Sequence, residues 1–383
     1  MQNQIPNNWQ KVKLGEIAEN FDSKRIPLSS VERLKRKGNI PYYGASGIID
    51  YVDNYLLDGE YLLVSEDGEN LKSRNTPIAF LTKGKFWVNN HAHIIKSKND
   101  FDNKLIRYWF SQNSILPFIT GSAQPKLNQE NLNAIELLWP EESIRKNIAK
   151  VLSSFDDKIE LNNKIAKTLE NMASTIFKEW FVKTGIGFRI GNIGDLMRVK
   201  HGFAFPSNKF KPKGEVPVIK IKNILEDRSI DTNNVDYINK NDFRDLTNFK
   251  INNGDILIAL TGATSGKIGI LMGNHDEYLL NQRVGKFSFK KNSYKWFCYI
   301  FLTQSSYRNL LLNSSNGSAQ GNLNPDQIES IEINIPDNEL LEKFNNIVSS
   351  FYKKIIKSKL ENQKLLTMRD LLLPKLMKGE IRI

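Results

Sequence analysis

The sequence predicts an α+β protein: two β-rich, mixed α/β globular units separated by two long antiparallel α-helices that form a coiled coil, the whole a pseudo-two-fold internal repeat. Three observations predict it. An apolar stripe of helical period runs from Ile144 to Trp180 with no Gly or Pro to interrupt it. The same stripe, with the globular stretch ahead of it, returns near the end of the chain. Before each stripe lie short apolar runs punctuated by Gly and Asp, the pattern of a β-rich core.

In the first stripe Ile148, Phe155, Asn162, Leu169 and Ile176 recur at seven-residue spacing. Leu152, Ile159, Ala166, Ala173 and Trp180 form a flanking row, and Val151, Ile165 and Met172 another. At 1.5 Å per residue such a helix is roughly 55 Å long, more than a small domain needs for its own core. Asn162 is the polar interruption of the central row, and a lone polar group in an apolar seam fixes register or partner choice while lowering stability.

The repeat is read by laying Phe155 on Phe351, an offset of 351 − 155 = 196. GSAQPKLNQENLNAIELLWP (121–140) then falls on GSAQGNLNPDQIESIEINIP (317–336), and Ser358 falls on Asn162. The second seam is therefore Phe344, Phe351, Ser358, Leu365 and Leu372, on a helix expected from about Glu339 to Leu373 and stopped by Pro374. A pseudo-two-fold axis relating the copies requires the helices to run antiparallel. Four segments follow: a globular unit over 1–140, a spacer helix over 141–184, a second unit over 185–336, and a second helix with its tail over 337–383.

The first unit opens at Trp9 and continues through strand-like runs at 41–52, 59–68 and 76–96. A helix is expected over Asp102 to Leu116, with Ile106, Trp109 and Phe110 facing inward, and Pro140 closes the unit where a helix start is favoured. The second unit repeats the opening at Phe188, continues through runs at 216–224, 254–260, 267–273 and 279–289, and has its matching helix over Lys295 to Leu312. Framework and helices repeat while the middles diverge, as on a common scaffold holding two different reading surfaces.

Composition narrows the functional class. The 383 residues suffice for two or three domains, and a net charge of +12 with pI near 9.4 favours a polyanionic partner, nucleic acid first. The lone Cys298 suits a reducing cytosol, and neither a membrane-spanning run nor a signal-peptide stretch is present. TGATSGKIG (261–269) has three residues between Gly262 and Gly266 where a P-loop needs four, and Ile268 replaces the magnesium-binding hydroxyl. His91 and His93 share one strand face, yet no Cys follows and no acidic partners cluster nearby in sequence. Cys298, between Phe297 and Tyr299, reads as packed rather than nucleophilic. No catalytic constellation emerges, which points to a recognition or assembly component.

With the duplication and helices in place, the chain resembles the specificity (S, HsdS) subunits of Type I restriction-modification enzymes. The resemblance is carried by LSSFDDKIELNNKIAKTLENMASTIFKEWFV (152–182), LLLPKLMKGEI (371–381), both GSAQ segments and the openings at Trp9 and Phe188. One departure is Arg145, where such subunits usually carry Gln. The resemblance implies two target-recognition domains, each reading one half of a bipartite site in double-stranded DNA. It also implies two methyltransferase (M) subunits docked on the helices, with restriction (R) subunits joining through the complex. S-adenosylmethionine, ATP and magnesium would belong to those partners, with no catalytic residue, metal or cofactor on this chain and no membrane association. Candidate DNA contacts in the divergent middles are Tyr43, Ser46, Lys72, Arg74, Asn90 and His91 in the first unit. In the second they are Lys200, His201, Lys220, Lys222, Asn223, Thr264, Lys267, Gln282 and Arg283. Arg and Gln make bidentate contacts to bases, whereas Lys mostly holds phosphate. The alternative reading is a single-chain pseudo-dimeric DNA-binding regulator with no enzyme partners.

Overall fold

The computed structural model describes residues 9–183, 188–304, 307 and 322–383. The second GSAQ copy (317–320) and most of 305–312 lie outside them; the helix expected over Lys295 to Leu312 is shorter than expected, spanning Lys295–Leu302 and capped at Thr303. The chain divides into two compact units, one of the residues up to Asp157 with Leu366–Ile383, the other Lys158–Leu365.

Each unit carries two four-stranded sheets and a two-stranded ribbon, with the same strand order in both. In the first unit one sheet runs Ala18–Asn20, Ala92–Ser97, Leu62–Ser65, Ala79–Leu81, all antiparallel. The other runs Gly47–Val52, Lys37–Gly44, Lys85–Val88, Leu57–Asp58, its middle pair parallel. The second unit has Met197–His201, Val284–Phe289, Ile256–Ala259, Ile268–Ile270 in one sheet. Its other sheet is Asp236–Ile238, Val216–Ile219, Tyr278–Leu280, Lys250–Ile251, again with a parallel middle pair. Ribbons of Trp9–Lys13 with Glu136–Pro140, and of Arg189–Asn192 with Glu332–Ile335, lead to the long helices.

Side-chain alternation lets one short strand serve two cores. Leu62 and Val64 join Leu105, Ile106 and Phe110 of the helix Asp100–Gln112, whereas Leu63 turns to Phe86 and Ile94. Ile256 and Ile258 against Leu257 and Ala259 repeat the division in the second unit. Strands covered on both faces need no polar alternation, which explains their continuous apolar sequence. Of the residues expected inward on Asp100–Gln112, Ile106 and Phe110 are buried and Trp109 is half-buried.

The first long helix spans Glu142–Phe177 and runs on as a π-helical turn, Lys178–Lys183. The second spans Asn338–Met377, and its first turn is capped by Asp337, whose Oδ1 accepts the Leu340 N–H at 2.7 Å. Arg145, the departure from the family pattern, anchors the first helix to its own unit. Its Nε donates to Asp102 Oδ1 at 2.7 Å and its Nη1 to the Pro140 carbonyl at 2.8 Å. The expectation that Pro374 stops the second helix is corrected: the helix continues to Met377. Leu373 and Leu376 are 2% and 1% exposed in the first unit's core. Two such burials, each about 1.5–3 kcal/mol, offset the roughly 3 kcal/mol of an interior proline.

Within each unit the two helices run antiparallel. In the first, Asp156 meets Arg369 while Ile148, Ala149 and Leu152 share a core with Leu373 and Leu376. In the second, Asn162 meets Asn362 and Phe177 meets Phe344. Of the expected seam, Ile148, Asn162, Phe344 and Ser358 are buried; Phe155, Leu169, Ile176, Phe351, Leu365 and Leu372 are half-buried. The row through Val151, Ile165 and Met172 lies beside the seam, Met172 being 45% exposed. Asn162 pairs with Asn362 and not with its repeat mate Ser358, because antiparallel helices bring repeat mates together only at the axis itself.

Candidate nucleic-acid interface

Each unit presents one exposed turn leading into a central strand, and the two turns are built alike. In the first unit the Asn89 N–H donates to the Tyr43 carbonyl at 3.1 Å, and Asn89 Oδ1 accepts the His91 N–H at 2.9 Å. In the second the Asn281 N–H donates to the Ile219 carbonyl at 3.1 Å, and Asn281 Oδ1 accepts the Arg283 N–H at 3.3 Å. An Asn whose side chain bonds the backbone two residues on holds a turn without help from its neighbours. The residues it frees, Asn90 and His91 in one copy and Gln282 and Arg283 in the other, are exposed. Their common offset is 282 − 90 = 192.

A second segment lines each turn. The Glu66 N–H donates to the His91 carbonyl, and the Glu66 carbonyl accepts the Leu127 N–H at 2.7 Å; Leu260 makes the same two bonds, to Arg283 and from Leu323. Asp67 then stands beside His91, its carboxylate 2.8 and 3.0 Å from Nδ1. Thr261 occupies the corresponding place in the second unit.

The remaining expected residues divide by placement. Ser46 sits in the turn between Lys37–Gly44 and Gly47–Val52, and Lys72 is exposed on the one-turn helix Asn70–Ser73. Lys200 and His201 are exposed on their strand. Tyr43 belongs to an aromatic cluster, stacked on Phe80 with centroids 5.8 Å apart, and burial raises its phenol. Arg74, at φ 52°, donates to the Phe110 and Asn113 carbonyls at 3.0 and 2.6 Å and so ends a helix. Lys220 and Lys222 both pair with Asp236, at 2.9 and 3.0 Å. Asn223 is 1% exposed and spends its side chain on the Lys220 N–H and the Asp231 and Asn234 carbonyls. No donor of it is left for a base.

TGATSGKIG forms a tight turn whose amides point inward. Ser265, Gly266 and Lys267 N–H groups donate to the Gly262, Ala259 and Thr264 carbonyls. Phosphate cradling needs such amides free. Lys267 pairs with Glu226 at 2.9 Å, and Thr264 Oγ1 is buried without a partner. The thiol of Cys298 is fully buried and pushed well up by desolvation. Among the described residues no helix is long and apolar enough to cross a membrane.

Sequence reasoning missed the acidic side of the first turn. His91 and His93 lack acidic neighbours in sequence, yet Asp67 reaches His91 and Asp22 and Glu66 reach His93. Strand pairing across 24 to 71 residues brings them there, and no local spacing announces it.

Comparison with known proteins agrees with this architecture. The family model described as the Type I restriction modification DNA specificity domain matches residues 6–171 and 186–366. The MjaIX Type I restriction enzyme specificity subunit of Methanocaldococcus jannaschii is 24% identical over 422 residues, covering 99% of this chain and 95% of the relative. A putative Type I restriction enzyme specificity subunit of Haemophilus influenzae, S.HindORF215P, is 36% identical over 141 residues; that match covers 37% of this chain and 36% of the relative. Among solved structures, the S subunit of a Type I restriction-modification system from M. genitalium shares the fold with a TM-score of 0.66 at 15% identity, covering 98% of this chain and 97% of that one. A specificity domain matched twice along the sequence, over most of the chain, places it in the family of Type I restriction-modification specificity subunits, the non-catalytic DNA-recognition components of those enzymes.

Proposed function

We propose that each unit reads one half of a bipartite site in double-stranded DNA, and that the long helices set the spacing and dock two methyltransferase subunits. Restriction subunits join through that complex, and S-adenosylmethionine, ATP and magnesium reside on the partners. The observation that carries the reading is the pair of Asn-capped turns. Equal backbones present Asn90 with His91 in one unit and Gln282 with Arg283 in the other. Unlike side chains on like scaffolds are what two unlike half-sites require. Arg283 can bind guanine O6 and N7, and Gln282 adenine N6 and N7, in the major groove. The excess positive charge supplies the sequence-independent hold on phosphate.

Exchanging residues 188–320 for those of a relative tests this. Sequencing of methylated adenines in cells carrying the exchanged chain with its methyltransferase subunits should show one half-site altered and the other kept. Alteration of both would refute independent heads. DNA bound as tightly without methyltransferase subunits as with them would favour the partner-free regulator.

A further inference from the structure

Beneath the first unit's turn lies a buried ionic network. The side chains of Asp22, Arg25, Glu66 and His93 are 7%, 16%, 11% and 1% exposed. His93 Nδ1 lies 2.5 Å from Asp22 Oδ2 and Nε2 lies 2.7 Å from the Leu127 carbonyl, so both ring nitrogens face acceptors. Asp22 Oδ1 also accepts the Ile94 N–H at 2.8 Å. Arg25 pairs with Glu66 and with Asp22, and donates to the Ala92 carbonyl at 3.1 Å. Lys126 closes on Glu66 Oε1 at 3.2 Å. One network therefore ties together the segments 22–25, 66–67, 90–94 and 126–127 that meet at the turn.

Burial alone would raise both carboxyls. For Asp22 the His93 hydrogen bond and charge, the Ile94 N–H and Arg25 outweigh it; for Glu66 Arg25, His93 and Lys126 do. Both are held below the usual range. Oxygen and nitrogen atoms of Asp22, Glu66 and His93 lie within 4.8 Å of one another, a spacing a cation could use. Arg25 and Lys126 already occupy the carboxylates, however, and the imidazole nitrogens are engaged. An ion there would meet two fixed positive charges.

The second unit fills the same places with His201, Leu260, Gly285 and Asn322, as strand register and the shared backbone bonds align them. Leu260 is 2% exposed and Gly285 has no side chain. The scaffold thus closes without buried charge, and a buried ion pair is weak support for stability in any case. What the network adds is fixed geometry. In the uncharged ring, an Nδ1–H donated to Asp67 leaves Nε2 of His91 as the acceptor.

Resting on the reading of the turns given above, we propose that Asp67 and the buried Asp22–Arg25–Glu66–His93 network are positioning residues that aim His91 Nε2 at the exocyclic amine of an adenine or cytosine in one half-site. Such amines are major-groove donors.

The test selects duplexes from a pool randomised in both half-sites, using the full chain assembled with methyltransferase subunits. His91→Ala identifies the half-site read by the first unit. The double variant Arg25→Ala/Glu66→Leu removes one cation and one carboxylate together and leaves Asp22 on His93 and the Ile94 N–H. A purely structural network predicts unchanged selection; positioning predicts that preference for an amino-bearing base at one position falls roughly tenfold, with the other half-site intact. Asp67→Asn is a near-isosteric change at a half-buried position that allows an amide N–H to face Nδ1 and turn Nε2 into a donor, and should broaden that preference to keto-bearing bases. Selection unchanged in both variants, or weakened equally at both half-sites, overturns the proposal. Should the double variant not fold, Asp67→Asn decides alone. Wild-type chain selecting no bipartite motif would defeat the underlying reading first, before any variant is compared.

Discussion

Replacing Asn162 and Asn362 by leucine separately and together should show that the polar contact in the helix seam opposes stability. Asn162 is 0% exposed; its Nδ2 donates to Asn362 Oδ1 and Glu361 Oε2, each at 2.9 Å, while its Oδ1 has no partner. Asn162→Leu alone strands the Asn362 oxygen, itself in a residue 6% exposed, at about 1–3 kcal/mol. Glu361 faces solvent and is rehydrated. Leucine burial returns about 1.5–3 kcal/mol, so the single variant falls near zero or slightly below wild type. In the double variant no oxygen is stranded, since Asn163 keeps Lys359 at 3.3 Å when it loses Asn362. Stability should then exceed wild type by about 1–3 kcal/mol, with a coupling of about 2 kcal/mol between the sites. Urea unfolding of all four chains measures it. A double variant less stable than either single would show that the asparagines hold the seam rather than select its register.

Two further outcomes follow from the charged groups. Burial raises the Asp156 carboxyl, but hydrogen bonds from Tyr108 and Arg369 and the charge of Arg107 outweigh it and hold it below the usual range. A depressed carboxyl stabilises above its unfolded value and loses that contribution as pH falls through the folded one. Thermal midpoints should therefore drop below about pH 4, and Asp156→Asn should flatten that limb. In DNA binding, Arg283→Ala should cost about 1–3 kcal/mol of discrimination at one position, whereas Lys222→Ala should lower affinity for every sequence and reduce the salt slope by about 1; Lys222 acting on one base alone would contradict this.

How much of this was legible beforehand differs by element. The long helices were, because a heptad row such as Ile148, Phe155, Leu169 and Ile176, interrupted by Asn162 alone and free of Gly and Pro, has few other readings. The duplication was equally plain, and the antiparallel pairing in each unit follows from it. Asn90, His91, Gln282 and Arg283 belong to the reading set by residue type and by their place in the divergent middles, but their shared Asn cap is visible only in the folded chain. Asn223 and Arg74 show the opposite case. A polar residue in a divergent stretch can be consumed by its own loop, or by a helix end, through bonds spanning 8 to 39 residues. The Asp22–His93 contact spans 71 residues and leaves no periodic trace.

The same distinction bears on how far the heads are interchangeable. Asp156 in the first unit receives Arg107, Tyr108 and Arg369. The offsets 352 − 156 = 196, 299 − 107 = 192 and 369 − 173 = 196 put Tyr352, Tyr299 and Ala173 at the equivalent places. There Tyr352 stacks on Trp296 with centroids 4.0 Å apart and meets Tyr299 edge-on at 5.4 Å. An ionic junction in one unit has thus become an aromatic one in the other, through substitutions that make sense only as a set. Grafting a head of the second kind onto the Asp156 helix removes Arg107 and leaves Asp156 with one cation fewer; the reverse graft puts Arg107 in the place of Tyr299, against Tyr352 with no carboxylate. Both side chains of the Arg107–Asp156 pair are part-buried, so either graft lowers stability by less than the about 3–5 kcal/mol of breaking a fully buried pair. Exchange between the two positions therefore breaks the set. Asn89 and Asn281 hold the two turns on the same backbone bonds, so the side chains at 90–91 and 282–283 differ on a common scaffold. The strand order is identical in both units, yet the residues at the two junctions differ as a set.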